Sequence, residues 1–77
     1  MTAPIITKHA KRRLKQRAGL AKRAHEKHIY KVLKEGMFLY RNRENNVFYM
    51  RYHTKEYVFG LTKQLEPILI TLYLKYP

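Results

Sequence analysis

The stretch Val32-Leu33-Lys34-Glu35-Gly36-Met37-Phe38-Leu39-Tyr40-Arg41-Asn42 changes its period at the glycine. Before Gly36, inner positions recur at helical spacing: Leu20, Ala24, His28 or Ile29, Val32 and Leu33. After it the repeat falls to two, the mark of a strand whose side chains alternate between faces. The chain therefore reads as a helical half followed by a sheet half, with Gly36 as the stop between them.

Upstream, Thr7 reads as the N-cap of a helix from about Lys8 to Arg17. Ala10, Leu14 and Arg17 or Ala18 mark its inner stripe, while Lys11, Arg12 and Lys15 face outward. Gly19 ends it, and a second helix runs from about Ala21 to Glu35. Downstream, strands are expected at Met37–Asn42, Val47–His53, Glu56–Leu61 and Ile68–Leu74. Arg43-Glu44-Asn45-Asn46, Thr54-Lys55 and Lys63 to Glu66 supply the turns. Such short connections imply an antiparallel meander, whose apolar face needs the helices as a cover. The expectation is one α+β domain over residues 1–77, two N-terminal helices packed on a four-stranded antiparallel sheet. On the last strand, Ile68, Ile70 and Leu72 are expected to face the helices; Leu69, Thr71 and Tyr73 take the open side.

Seventeen Lys and Arg against five Asp and Glu give a net charge of +12. Residues 1–35 hold eleven basic and two acidic side chains, and residues 36–77 hold six and three, so the field is strongest on the helices. A field of this kind attracts polyanions, and the expected partner is nucleic acid, transfer or ribosomal RNA included. Anionic membrane ranks behind, because the helices lack the Trp/Phe/Leu face of an interfacial helix. The chain has no cysteine, which removes disulfides and thiolate metal cages and suits a reducing compartment. No apolar run approaches the roughly 20 residues of a membrane span. The start, Met1 to Thr7, passes directly into charge rather than into a secretory signal. A cytoplasmic protein without a membrane partner is expected.

Several chemistries are excluded or disfavoured by residue type. Serine and aspartate are absent, so a Ser–His–Asp arrangement cannot be built. Gly19, Gly36 and Gly60 are isolated and form no phosphate-cradling loop. His25-Glu26-Lys27-His28 spaces its histidines three apart, not as in the zinc signature, and no third ligand is evident; no metal and no other cofactor is expected.

The run Thr7-Lys8-His9-Ala10-Lys11-Arg12-Arg13 remains. Histidine can take and give a proton near neutral pH, and the surrounding cations place that ability where a phosphate is drawn. The positive end of the helix dipole and those cations disfavour a protonated ring, so His9 is expected to be neutral and ready to accept a proton. On position alone it reads first as an idle surface histidine, and the basic run around it shifts that reading only modestly. Arg13 and Arg17, one turn apart, form either a phosphate clamp or ordinary packing through their aliphatic stems. Thr71 and Tyr73 share a strand face about 6–7 Å apart; both are also common strand residues. Of the seven tyrosines (30, 40, 49, 52, 57, 73 and 76), exposed ones on the sheet can stack on unpaired bases, with Arg41, Arg43 and Arg51 among them. The others are expected in the core.

The order Ile6-Thr7-Lys8-His9-Ala10-x-x-Arg13-x-x-x-Arg17, Val32-Leu33-x-x-Gly36, Tyr57-Val58-Phe59-Gly60 and Ile70-Thr71-Leu72-Tyr73 resembles a family of small bacterial and phage proteins. Those proteins open with a Thr-x-His-Ala-x-x-Arg helix and are related to the barnase–EndoU–colicin–RelE superfamily of metal-independent ribonucleases and toxins. The resemblance covers nearly the whole chain. It implies a nuclease site between the first helix and an antiparallel sheet. In the colicin D-like pattern the roles fall to Lys8, Lys11 and His9, completed by Thr71 and Tyr73; in the RelE-like pattern, to Arg51 and Tyr73.

Two functions follow as expectations. The first is an endoribonuclease, toxin-like, cutting transfer RNA or messenger RNA (on the ribosome in the toxin case), with an acidic antitoxin or immunity protein as a further partner. His9 is its acid or base, Lys8, Arg13 and Arg17 stabilise the phosphate charge, and Thr71 and Tyr73 orient the phosphate. Lys11, Arg12, Lys15, Arg41, Arg43 and Arg51 hold the RNA. The second is a non-catalytic basic binder, such as a phage protein that blocks a host nucleic-acid machine. A helix-turn-helix reader, turning at Arg17-Ala18-Gly19-Leu20, is disfavoured because the second helix spends much of its surface on the core.

Overall fold

Thr7 caps the first helix, α1 (Lys8–Ala18), by accepting the Ala10 amide on its hydroxyl at 3.1 Å. Gly19, left-handed at φ 64°, closes it. A single 3-10 turn, Lys22–Ala24, then leads into α2 (His25–Glu35). The second helix thus begins later than Ala21, because its uncapped start tightens into 3-10 geometry. These elements belong to a computed structural model that describes residues 4–74.

The sheet half follows the expected meander, with β2 (Met37–Asn42), β3 (Val47–Tyr52), β4 (Lys55–Leu61) and β5 (Pro67–Leu74) pairing antiparallel in sequence order. Its second turn falls at His53-Thr54, one residue earlier than expected, since His53 takes up the left-handed conformation at φ 57°. The expected four-stranded antiparallel sheet needs a larger correction. Ile5–Ile6 forms a short strand, β1, parallel to β5, so the sheet is five-stranded and mixed in the order β1-β5-β4-β3-β2. Two residues are too few to show an alternation; β1 exists because the chain passes the edge of β5 just before the Thr7 cap.

The face assignment on β5 is also corrected. Leu69 and Leu72 are fully buried against the helices, whereas Ile70 is 37% exposed. Phe59 pairs with Leu69 but Val58 pairs with Thr71, which leaves Ile70 as the extra residue of a β-bulge and shifts the alternation by one. A second bulge leaves Leu39 unpaired in β2, between the Phe38–Met50 and Tyr40–Tyr49 pairs.

The core lies between the helices and one sheet face. Ala10 and Leu14 of α1 and Ile29 and Val32 of α2 meet Met50, Tyr57, Phe59, Leu69 and Leu72. Each large side chain buried there contributes about 1.5–3 kcal/mol. Helix α1 packs on β5 and α2 on β3, leaving the other sheet face without a covering helix among the described residues. No described helix is long and apolar enough to cross a membrane.

Candidate active site

Strand β1 pairs with Ile68 and Leu69, so among the described residues the outer edge of β5 beyond Leu69 has no strand partner. Helix α1 satisfies that edge with side chains. The Thr7 hydroxyl donates to the Leu69 carbonyl at 3.1 Å, with the Ile70 carbonyl 3.3 Å away, and Arg17 Nη1 donates to the Leu72 carbonyl at 2.8 Å. These ties fix the height and rotation of α1 against the strand. They also turn His9, Arg13 and Arg17, successive turns of one helix flank, toward Thr71 and Tyr73.

His9 Nε2 lies 3.3 Å from the Thr71 hydroxyl and 3.5 Å from Arg13 Nε. Arginine can only donate, so in that long contact the Arg13 Nε–H is directed at the imidazole nitrogen. The Arg17 guanidinium sits over the Tyr73 ring, 5.7 Å from its centre. His9 is exposed, Thr71 is buried, and the two arginines are half-buried. An exposed imidazole nitrogen thus meets a hydroxyl and one guanidinium, with Arg17 one turn further along the same flank, an arrangement suited to proton exchange beside a phosphate.

The remaining expected residues scatter. Lys8, Arg12 and Lys15 are exposed on α1 outside the His9–Arg13–Arg17 flank. Lys11 lies on the opposite flank, lining a groove with Ile5, Ile6, Lys22, Arg23 and His25. Of the strand arginines, Arg51 alone shares the open face with Tyr73: cross-strand pairing runs Met37–Arg51–Glu56–Tyr73. Arg41 falls in the row Arg41–Phe48–Phe59–Leu69, on the helix side, and its Nη2 donates to Asn46 Oδ1 at 2.7 Å. Arg43 lies in the turn after β2. The lysines and strand arginines therefore do not gather around His9; the helix arginines do.

The tyrosines divide in the same way. Tyr40 and Tyr49 stack on the open face with ring centres 4.4 Å apart. The Tyr49 phenol is pushed up by desolvation, then by Tyr40, Tyr73 and Glu56, so these groups share one neighbourhood. Tyr57 is fully buried, Tyr52 lies edge-on to His28, and Tyr30 is exposed on α2. Tyr76 lies outside the described residues.

One pair escaped sequence reasoning. His28 Nε2 and the Tyr57 hydroxyl are 2.6 Å apart across the α2–sheet interface. Burial, followed by Tyr52, pushes the Tyr57 phenol well above its ordinary value, so it keeps its proton in the bond to the imidazole. Desolvation first, then Lys55, His25, His53 and Lys31, pull His28 below its ordinary 6.5. The available signal was the helical slot filled by either His28 or Ile29, since a polar residue there needs a buried partner. Its neighbour His25 is buried too, its Nε2 bonded to the Leu20 carbonyl at 3.1 Å. The two histidines thus point at different partners.

No family model, no curated protein and no solved structure matches this chain.

Proposed function

We propose that this chain is an RNA-binding, metal-independent endoribonuclease of the barnase–EndoU–colicin–RelE kind. The observation that carries the reading is the meeting of His9 Nε2 with the Thr71 hydroxyl at 3.3 Å and Arg13 at 3.5 Å. His9 takes the proton of a ribose 2′-hydroxyl, whose oxygen bonds to the adjacent phosphorus. Arg13 and Arg17 stabilise the added negative charge, and the Thr71 hydroxyl donates to a phosphate oxygen. The bond to the 5′-oxygen then breaks. That oxygen leaves with a proton from water, which the protonated His9 replenishes, while Tyr73 helps orient the phosphate, and a 2′,3′-cyclic phosphate remains. Transfer RNA or messenger RNA is the proposed substrate class, and an acidic antitoxin or immunity protein the complementary protein partner.

The test compares cleavage rates of unfolded RNA by wild type, His9→Gln and Thr71→Val. The proposal expects His9→Gln to lose about 100-fold or more and Thr71→Val about 10-fold, the scale of one acid–base group and one hydrogen bond. Equal rates in all three proteins overturn it.

A second reading, a non-catalytic basic binder, draws on a different observation. Edge strand β2 exposes Met37, Phe38, Leu39 and Tyr40 in succession, at 62%, 57%, 36% and 54%. A contiguous apolar edge of this kind is suited to a protein partner. Under that reading His9→Gln leaves every binding activity unchanged, and no RNA is cut.

A further inference from the structure

We infer that the open face of the sheet is a stacking platform for unpaired RNA, leading across the strands into the His9 site and excluding duplex from it. The inference rests on the ribonuclease reading for the choice of RNA. Its geometry is independent of that reading.

Cross-strand pairing places Tyr40, Tyr49, Val58 and Thr71 in one row, from the outer edge of β2 to the strand beside α1. His9 stands at the end of that row, on the Thr71 hydroxyl. Three strand-to-strand steps of about 4.8 Å separate Tyr40 from Thr71, about 14 Å in all. The Tyr40–Tyr49 stack forms one end, with Tyr40 54% exposed. Tyr73, 46% exposed and backed by Arg17, stands next to the other end. A strand that stacks a base on Tyr40 therefore reaches His9 without leaving the face.

Charge and shape favour the same track. Arg51 lies on this face one row away, and Arg13 and Arg17 wait at the end. Glu56 sits between Arg51 and Tyr73 in that neighbouring row, so the tyrosine row itself carries no acidic side chain. On the other side the bulged Ile70 lies over Gly60, where an added Cβ would come within 3.2 Å of its Cδ1, and this forms a low apolar wall. Tyrosine faces take up only bases that are already unstacked from a partner strand; a duplex keeps its bases inside. Cross-strand packing alone also explains a Tyr–Tyr pair, so the test keeps stability separate from binding.

Stacking tolerates either sugar, so a fluorescent single-stranded DNA oligonucleotide, which lacks the 2′-hydroxyl and cannot be cut by the proposed route, serves as the probe. Wild type is expected to bind it more tightly than a DNA hairpin of equal charge. Tyr40→Leu and Tyr49→Leu should each weaken single-strand binding about 10-fold at unchanged melting temperature, and Tyr49→Phe should retain it. Independently of any variant, titration with the oligonucleotide should move the Tyr40 and Tyr49 ring resonances in the NMR spectrum. Wild-type affinity in the folded leucine variants, unmoved ring resonances, or equal affinity for the hairpin overturns the platform. Because the probe is not cleaved, tyrosine-dependent binding without any RNA cleavage upholds the platform and removes the nuclease. Cleavage by His9 with tyrosine-independent binding does the reverse.

Discussion

His9 Nε2 is the atom on which the proposed chemistry turns, and Thr7 is the residue that puts it there. The Thr7 hydroxyl caps α1 and also grips the Leu69 carbonyl, so one side chain sets both where the helix starts and how it meets β5. Replacing Thr7 with Ala should cost about 1 kcal/mol in chemical denaturation. It should lower cleavage by more than that loss of stability explains, because His9 lies two residues further on. His28 gives a prediction in pH. Its folded pKa lies below the ordinary 6.5, so the unfolded chain binds more protons in the interval between the two values. The stability it contributes is therefore complete above about pH 6.5 and is lost as pH falls through the folded value. Melting temperature should drop on acidification from neutral pH to about 5, and His28→Gln should flatten that drop. An acid branch identical in both proteins contradicts the assignment. At this scale the sequence was partly legible. His9, Arg13, Arg17, Thr71 and Tyr73 stood out by residue type and by one-turn or two-residue spacing. The lysines around His9 looked equivalent to those arginines, but helical rotation separates them. Only a known rotation of α1 reveals that, and the Arg17–Leu72 bond which sets it spans 55 residues.

Elements depend on local signals where the chain is regular and on distant ones where it is not. Gly36 ends α2 in an extended conformation, with its amide bonded to the Val32 carbonyl at 2.8 Å. A Cβ at that position collides with the Val32 carbonyl oxygen and crowds Arg51 O, neither of them a flexible group. Gly36→Ala should accordingly cost about 1–3 kcal/mol, read as a lower midpoint in urea. A midpoint equal to wild type would mean that the helix end relaxes freely. The same glycine marked the change of period, so both helices and the four-strand meander could be read from sequence. Strand β1 could not, because two residues carry no periodicity and its pairing with β5 closes a loop across almost the whole chain. The Ile70 bulge was hidden for a related reason. Pro67 to Leu74 is apolar at nearly every position, so the alternation gave no hint that Leu69 and Leu72, rather than Ile70 and Leu72, face inward.

At the scale of the whole molecule, the fold separates two tasks by face. Helices and core occupy one side of the sheet. Strand rows carrying Tyr40, Tyr49, Arg51, Thr71 and Tyr73 occupy the other, and the His9 flank of α1 bounds it. The net charge of +12 attracts polyanions to the molecule as a whole, so binding of the proposed RNA should weaken steeply as salt rises, whichever face is used. A logarithmic plot of affinity against salt should slope strongly downward, and a flat plot contradicts a charge-driven encounter. Encounter is not cleavage, and the central claim concerns what His9 does once RNA is bound. The most direct measurement is end-group analysis of RNA incubated with the protein in excess EDTA, alongside the His9→Ala variant. The account predicts fragments ending in 2′,3′-cyclic phosphate from wild type and about 100-fold fewer from the variant. Intact RNA, or the same fragments in the same amount from both proteins, contradicts it.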